Sequence, residues 1–154
     1  MTSDVKVSAN EWRALQVLAD GYNESSFYFR GVAQESGLPL KIVRRIVRSL
    51  ARKGLAEYNR GLFNDDGQVA GSGYGCTRAG YEYAKERNEK LFTEAAAIVV
   101  SHKKVVGTTS FIQRKLGISY NEAARITEQL ERRRVISWPD AKGVRTINPE
   151  HQAA

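Results

Sequence analysis

The sequence predicts a mainly α-helical protein of the α+β class, built from two small tandem domains at residues 1–90 and 91–154. Three observations lead to this prediction. A hydrophobic fraction of 42% in 154 residues is enough to build a core. Apolar residues recur with helical spacing along much of the chain and alternate with short turn-rich stretches that are typical of β-hairpins. The order of elements is the same in both halves, although the halves share almost no letters.

The first half opens with a helix-start signal at "SANE". Ser8 is placed to cap the helix and Glu11 to return the bond, which is the capping-box pattern. Trp12 shares a face with the leucines that follow, so we interpret it as a core residue and not as a base-stacking one. The stretch "SSFYFRGVAQESGL" then predicts a short aromatic extended run and a short helix that ends near Gly37.

A longer helix is predicted over "PLKIVRRIVRSLARKGL", with Pro39 near its first turn and Gly54 at its end. One face is an apolar stripe made of Ile42, Val43, Ile46, Val47 and Leu50. The other face is basic and consists of Lys41, Arg44, Arg45, Arg48, Arg52 and Lys53. No acidic residue occurs between positions 41 and 53, whereas a helix face that serves only solubility normally mixes both signs.

A β-hairpin is predicted next, over "LAEYNRGLFNDDGQVAGSGYGCT", with "DDG" as its turn. Asp65 and Asp66 make that turn acidic, which argues against its contact with phosphate. Thr77 is placed to cap the following helix, "RAGYEYAKERNEKLF". Neither Gly nor Pro interrupts residues 81–106, so a continuous or kinked connecting helix is expected.

The second half repeats this order. "VVGTTS" predicts a short strand, and Thr109 or Ser110 is placed to cap the short helix "FIQRKLG". Ser119 and Glu122 form a second capping box at the start of the long helix "ISYNEAARITEQLERRR". The stretch "VISWPDAKGVRTI" predicts a second hairpin that carries Lys142 and Arg145.

A short helix, a tight turn and a longer helix followed by a hairpin form the winged helix-turn-helix, so each half is predicted to be one. In this fold the longer helix enters the major groove of DNA and its exposed face carries the recognition groups. The first basic face is expected to meet phosphates and guanine. The alternative is that this basic face is an ordinary solvent-exposed helix face beside the apolar stripe and does not bind DNA.

The long helix of the second half presents Asn121, Arg125 and Glu128 at i, i+4 and i+7. Their side chains match adenine, guanine and the cytosine amino group, respectively. An ordinary surface ion pair between Arg125 and Glu128 is an equally good interpretation of these residues alone.

The net charge and the composition of the chain also favour DNA as the partner. The chain carries 24 basic and 17 acidic residues, a net charge of +7 and a pI near 9.7, which is typical of proteins that bind polyanions. No apolar stretch approaches the roughly 20 residues that span a bilayer, so we expect double-stranded DNA and no membrane. Cys76 is the one cysteine, which excludes an intramolecular disulfide and a cysteine-based metal cluster and favours a reducing cytoplasm.

The second half, "TTSFIQRKLGISYNEAARITEQLERRRVIS", resembles the γ domain of the FtsK/SpoIIIE family of DNA translocases over roughly residues 92–147. The resemblance implies that Asn121, Arg125 and Glu128 contact bases and that a tyrosine recombinase is a possible partner. The chain departs from the family at Ser119 and Arg134, where glycines are common, and at Glu122, where a basic residue is common. It has no "GxxxxGK[ST]" phosphate loop, so the translocase motor is absent from this sequence.

The first half resembles the MarR-like bacterial regulators over roughly residues 8–90. The resemblance rests on "SGLPLKIVRRIVRSLARKGLAEY", the hairpin and "YGCTRAGYEY". It implies a winged helix, a fold that serves many functions.

These observations predict a sequence-specific DNA-binding protein, most simply a transcriptional regulator encoded by a bacterium, a phage or another mobile element. The alternative is an accessory factor for replication initiation, segregation or site-specific recombination that acts partly through protein contacts. His102 and His151 stand in unrelated contexts, so we expect no enzyme, no metal and no cofactor. The oligomeric state, monomer or homodimer, stays open.

Overall fold

A computed structural model describes residues 5–63, 66–103 and 105–151. These residues form six α-helices, one two-stranded antiparallel sheet and a single 3-10 turn at Pro149–His151. The elements are, in order, α1 (Ala9–Asp20), α2 (Phe29–Ser36), α3 (Leu40–Arg52), β1 (Ala56–Phe63), β2 (Val69–Cys76), α4 (Arg78–Ser101), α5 (Thr108–Leu116) and α6 (Tyr120–Arg132). The predicted α+β class is therefore confirmed. The chain divides into two compact units, Met1–Glu86 and Arg87–Ala154.

The core of the first unit lies between α1 and α3. Trp12, Leu15 and Leu18 of α1 are buried, which confirms the interpretation of Trp12 as a core residue. They pack in one cluster with the buried stripe of α3, which consists of Val43, Ile46, Val47 and Leu50. Full burial of each large apolar side chain contributes roughly 1.5–3 kcal/mol, so this stripe fixes which face of α3 points outward.

Helix boundaries follow the local signals in most places. Ser8 Oγ accepts from the Glu11 amide, and Glu11 Oε2 accepts from the Ser8 amide at 2.8 Å, so the predicted capping box is confirmed. The Gly80 amide donates to Thr77 Oγ1 at 3.0 Å, which confirms Thr77 as the cap of α4. Helix α4 is continuous over 24 residues. No helix among the described residues is both long and apolar enough to cross a membrane.

The predicted first hairpin is confirmed. β1 and β2 pair from Ala56–Cys76 to Phe63–Val69, with irregular register beside Gly61. Asp65 of the predicted turn lies outside the described residues. An isolated bridge between Phe27 and Tyr74 adds the extended run before α2 to the edge of β2. This bridge joins the extended run before α2 to the hairpin.

The core of the second unit combines residues from every part of it. Val99 of α4, Ile112 of α5 and Leu130 of α6 are fully buried in one cluster with Val135, Ile136 and Ile147. The exposed face of α6 is therefore fixed in the same way as that of α3.

Two predictions for the start of the second unit are wrong. Residues 105–107 do not form a strand, although the carbonyl of Val105 accepts from the amide of Arg145 at 2.9 Å. Helix α5 is capped by Gly107, without a side-chain bond, and not by Thr109 or Ser110. The hydroxyl of Thr109 instead lies 3.0 Å from that of Thr127 on α6 and is used in helix packing.

The second predicted hairpin forms as two hydrogen-bonded antiparallel arms without regular strands. Only Ile136 and Ile147 form a bridge, and the described residues between them contain no strand. Pro139 has no N–H to donate to a ladder. Oδ1 of Asp140 accepts from the amides of Lys142 at 2.8 Å and Val144 at 2.9 Å and closes the turn. The amides of Ser137 and Asp140 donate across the two arms to the carbonyls of Thr146 and Val144 at 2.8 and 2.9 Å.

Candidate nucleic-acid interface

The basic face of α3 is exposed along the helix. Arg44, Arg45 and Arg48 alternate with the buried stripe because basic and apolar residues occupy opposite sides of a 3.6-residue turn. Lys41 and Arg52 extend the exposed face toward both helix ends. Helix α2, Gly37 and α3 place this face as the second helix of a helix-turn-helix, since Gly37 has φ +65° and ends α2 in the left-handed conformation.

Lys53 is not part of that exposed face, in contrast to its position in the predicted set. Its ammonium lies 2.7 Å from the carboxylate of Glu11 and 2.6 Å from the carbonyl of Lys6. Burial by itself raises the pKa of Glu11, but hydrogen bonds from Lys53, the Ser8 amide and Ser49 outweigh it and hold that pKa at about 2. Glu11 is therefore charged at ordinary pH and ties Lys53 to α1.

An aromatic cleft adjoins the basic face and was missed in the sequence. It has a volume of about 450 Å³ and lies between the start of α2, the exposed side of α3 and the hairpin. Its lining combines tyrosine and phenylalanine rings with arginines, among them Tyr28, Phe29, Arg30, Arg44 and Tyr58. The "FYFR" run was visible as an extended aromatic stretch, but only the Phe27–Tyr74 bridge brings it beside α3 and the hairpin.

Helix α6 exposes the predicted recognition side chains. Asn121, Arg125 and Glu128 are all exposed, opposite the buried Ala123, Ile126, Thr127 and Leu130. Glu128 lies 3.8 Å from Arg132 in an (i, i+4) ion pair. An exposed pair at this separation contributes at most about 0.5 kcal/mol, so Glu128 is available to a partner.

The start of α6 is fixed by the second capping box. The Glu122 amide donates to Ser119 Oγ, and Glu122 Oε2 accepts from the Ser119 amide at 3.1 Å and from the Ser119 hydroxyl at 2.8 Å. Glu122 is buried in this position, which confirms its predicted capping role. Its negative charge is directed at the helix start and away from the exposed face.

The segment after α6 carries one exposed cation and one buried pair. Lys142 is exposed in the turn made by Asp140. Nε of Arg145 instead donates to the buried Glu131 at 2.8 Å, and only 16% of the Arg145 side chain is exposed. Arg145 therefore fastens this segment to the end of α6. Trp138, also in this segment, is 62% exposed.

Side chains of the metal-ligating types and the one cysteine, Cys76, lie within the described ranges. No group of three or more His, Cys, Asp or Glu side chains there is arranged to hold a metal ion. Burial, with a smaller contribution from Glu57, raises the pKa of Cys76 to about 12. A thiol with that pKa is protonated and unreactive at neutral pH.

Helix α5, the turn at Gly117 and α6 lie in a segment that matches a known family. Residues 86–149 match the Ftsk gamma domain. This confirms the resemblance stated for the second half, and the matched gamma-domain segment includes Asn121, Arg125 and Glu128.

Curated relatives are DNA translocases that match part of the chain. DNA translocase FtsK of Brucella melitensis is 36% identical over 106 residues, which is 68% of this chain and 12% of that protein. DNA translocase FtsK of Clostridium tetani is 42% identical over 66 residues, 43% of this chain and 9% of that protein. The chain thus spans about an eighth or less of the length of these relatives.

Two solved structures are similar to this chain. MepR of S. aureus, bound to ethidium bromide, has a TM-score of 0.50 at 14% identity, covering 85% of this chain and 79% of MepR. A MarR family regulator of Neisseria meningitidis, NMB1585, has a TM-score of 0.45 at 19% identity, covering 82% of this chain and 80% of that chain. At this identity the MepR likeness supports the winged-helix fold and no particular activity.

Proposed function

We propose that this chain binds double-stranded DNA sequence-specifically through α3 and α6 and acts as a transcriptional regulator. The observation that carries the proposal is the exposed Asn121, Arg125 and Glu128 on α6, within the gamma-domain segment. The exposed cations of α3 supply a second DNA-binding surface. Each half then functions as one winged helix-turn-helix domain, with the boundary near residue 90.

The side chains of α3 and of α6 suit different parts of the DNA. Helix α3 carries Lys41, Arg44, Arg45 and Arg48, whose charges neutralise phosphates whatever the base sequence. Helix α6 carries an amide, a guanidinium and a carboxylate, which can distinguish adenine, guanine and cytosine in the major groove. Affinity is therefore assigned mainly to the first helix and specificity mainly to the second.

Of the two cations that the sequence predicts to bind DNA in the segment after α6, only one is kept in the proposed interface. Lys142 is exposed and is kept in the proposed interface as a phosphate contact. Arg145 is left out because its guanidinium is bonded to the buried Glu131 and its departure would leave that carboxylate unpaired.

The proposal is tested in two steps with the purified chain. Selection of bound sites from a random duplex library should yield one enriched site, and its length and symmetry would distinguish a monomer from a homodimer. Binding of that site should then weaken with salt, with a log–log slope of about −4 to −5 if roughly five phosphates are neutralised. Absence of enrichment combined with a flat salt response would reject DNA binding.

A second candidate function is contact with a protein, as an accessory factor in replication, segregation or recombination. It is favoured by Phe63 and Val69, a cross-strand pair on the first hairpin with exposures of 68% and 71%. The neighbouring Asp66 makes this apolar tip unsuited to phosphate. A partner protein that binds there should lose affinity for Phe63→Ser while DNA affinity is retained. Unchanged partner binding would reject this surface.

A further inference from the structure

The aromatic cleft of the first unit is built from three separate parts of the chain. The Phe27–Tyr74 bridge fixes the extended run before α2 against β2 through hydrogen bonds of 2.8 and 2.9 Å. Leu40, Arg44 and Arg48 of α3 form the second side, and Tyr58 and Ser72 of the hairpin form the third. The cleft is therefore continuous with the basic face of α3.

Its rings form a row that is already in place. The guanidinium of Arg44 lies 5.4 Å from the centre of the Phe29 ring, and the Phe29 ring lies 5.5 Å from that of Tyr74. The Tyr74 ring lies 5.2 Å from the Tyr58 ring. Tyr58 is 49% exposed, with the guanidinium of Arg60 5.9 Å from its ring centre, and Tyr28 is 47% exposed, so both tyrosines are partly open to a ligand. Because the row is packed in advance, stacking on it costs little further side-chain ordering.

The cleft is also cationic. Arg30, Arg44 and Arg48 line it, and none of the described residues that line it is acidic. Within the described parts of the chain, none of these three arginines takes part in an ion pair. Exposed rings beside arginines are the combination that binds the bases and phosphates of an unstacked nucleic-acid strand.

We propose that this cleft binds an unpaired nucleotide of a DNA strand, with its base stacked on Tyr58 or Tyr28 and its phosphate held by the arginines. A volume of about 450 Å³ suits a ligand of that size. Phosphates of an intact duplex need only the cations, whereas the rings need a base that has left its stack. This inference rests on the proposed DNA binding and adds a preference for duplexes that contain unpaired bases.

The test compares three labelled DNAs of the same sequence by fluorescence anisotropy: a blunt duplex, the duplex with a two-nucleotide bulge, and the single strand. The intact chain should bind the bulged duplex about tenfold more tightly than the blunt one. Tyr58→Leu should remove most of that preference and leave blunt-duplex binding unchanged. Phe63→Leu is the matched control, since Phe63 is an exposed ring of the same hairpin that does not line the cleft.

Three outcomes would overturn the inference. Equal binding of blunt and bulged duplexes would do so, as would equal loss for Tyr58→Leu on both DNAs, which would make Tyr58 a general backbone contact. Loss of the preference for the bulged duplex in the Phe63→Leu control would show that this preference does not come from the aromatic cleft. Tyr28→Leu replaces Tyr58→Leu if the latter does not fold. If the intact chain binds none of the three DNAs, the proposed function itself is rejected. The blunt-duplex measurement distinguishes this failure from failure of the inference, because it reports duplex binding without a contribution from the cleft.

Discussion

The helix-turn-helix segments of the two units follow one plan at a constant spacing. Helix α3 begins at Leu40 and α6 at Tyr120, eighty residues later, and both contain 13 residues. Gly37 and Gly117 end the preceding helices with φ values of +65° and +63°. After the long helices, Leu55 donates to the Leu50 carbonyl and Val135 to the Leu130 carbonyl, both at 2.9 Å. From the end of the short helix to the residues just after the long one, the backbone is thus shared almost residue by residue.

The exposed faces differ at matched positions. Lys41, Arg45 and Arg48 of α3 correspond to Asn121, Arg125 and Glu128 of α6. Arg45 and Arg125 are both arginines, whereas an amide takes the place of Lys41 and a carboxylate takes the place of Arg48. The difference teaches that the buried stripe fixes the helix and leaves its outer face free to carry either phosphate-neutralising or base-recognising groups.

The largest expected effect concerns the pair that fastens the segment after α6. Glu131→Gln leaves Arg145 without its carboxylate in a mostly buried site and should lower the stability of the second unit by about 3 kcal/mol. Hydrogen exchange measures this loss in the α6 amides, with the α1 amides as an internal reference.

Glu128→Gln on the exposed face of the same helix is the control and should cost less than about 0.5 kcal/mol. If both variants lose equal protection, the Glu131–Arg145 pair has no special structural role.

Removal of two charges from α3 tests its assignment to phosphate. The double substitution Arg44→Ala and Arg48→Ala should weaken binding to every duplex by about 100-fold at low salt and reduce the salt slope by about 2. Salt titrations on a selected site and on a random duplex measure both quantities.

Lys85→Ala with Lys90→Ala removes two exposed cations of α4 and is the matched control. A slope that stays the same in the α3 variant would remove that helix from the interface.

Loss of Arg125 tests the assignment of α6 to bases. Arg125→Ala should cost about 2 kcal/mol on the preferred site and relax the preference at one base position. Its counterpart Arg45→Ala should weaken all sequences alike. Repeating the site selection with both variants gives the measurement, and an equal loss for Arg125→Ala on all sequences would make it a phosphate contact.

The smallest expected effect concerns the residue after each long helix. Gly54 has φ +73°, and Arg134 at the matched position has φ +58°, a conformation that disfavours a side chain. Arg134→Gly should therefore raise the stability of the second unit by about 1 kcal/mol. Thermal unfolding measures the gain.

Arg132→Gly, within the last turn of α6, is the control and should lower stability by up to about 1 kcal/mol. A loss of stability for Arg134→Gly would show that the Arg134 side chain contributes more than its backbone strain costs.

Local signals in the sequence were sufficient for much of this structure. The capping boxes at Ser8 and Ser119, the turn glycines and the stripe of α3 each depend on residues three or four positions apart, so their pattern is visible in the letters. Two of the wrong predictions fall where a distant residue competes for the same group. Thr109 bonds to Thr127 instead of capping α5, and Lys53 bonds to Glu11 instead of extending the basic face.

The sequence by itself determined the class of fold, the outward faces of α3 and α6 and the chemistry of Asn121, Arg125 and Glu128, because helical periodicity and side-chain type are local properties. The tertiary structure alone decided that Arg145 is held by Glu131 and that Tyr28, Tyr58 and Arg44 line one cleft. These pairings join residues up to 30 positions apart, and their distances follow from packing and strand bridging, which no local pattern encodes.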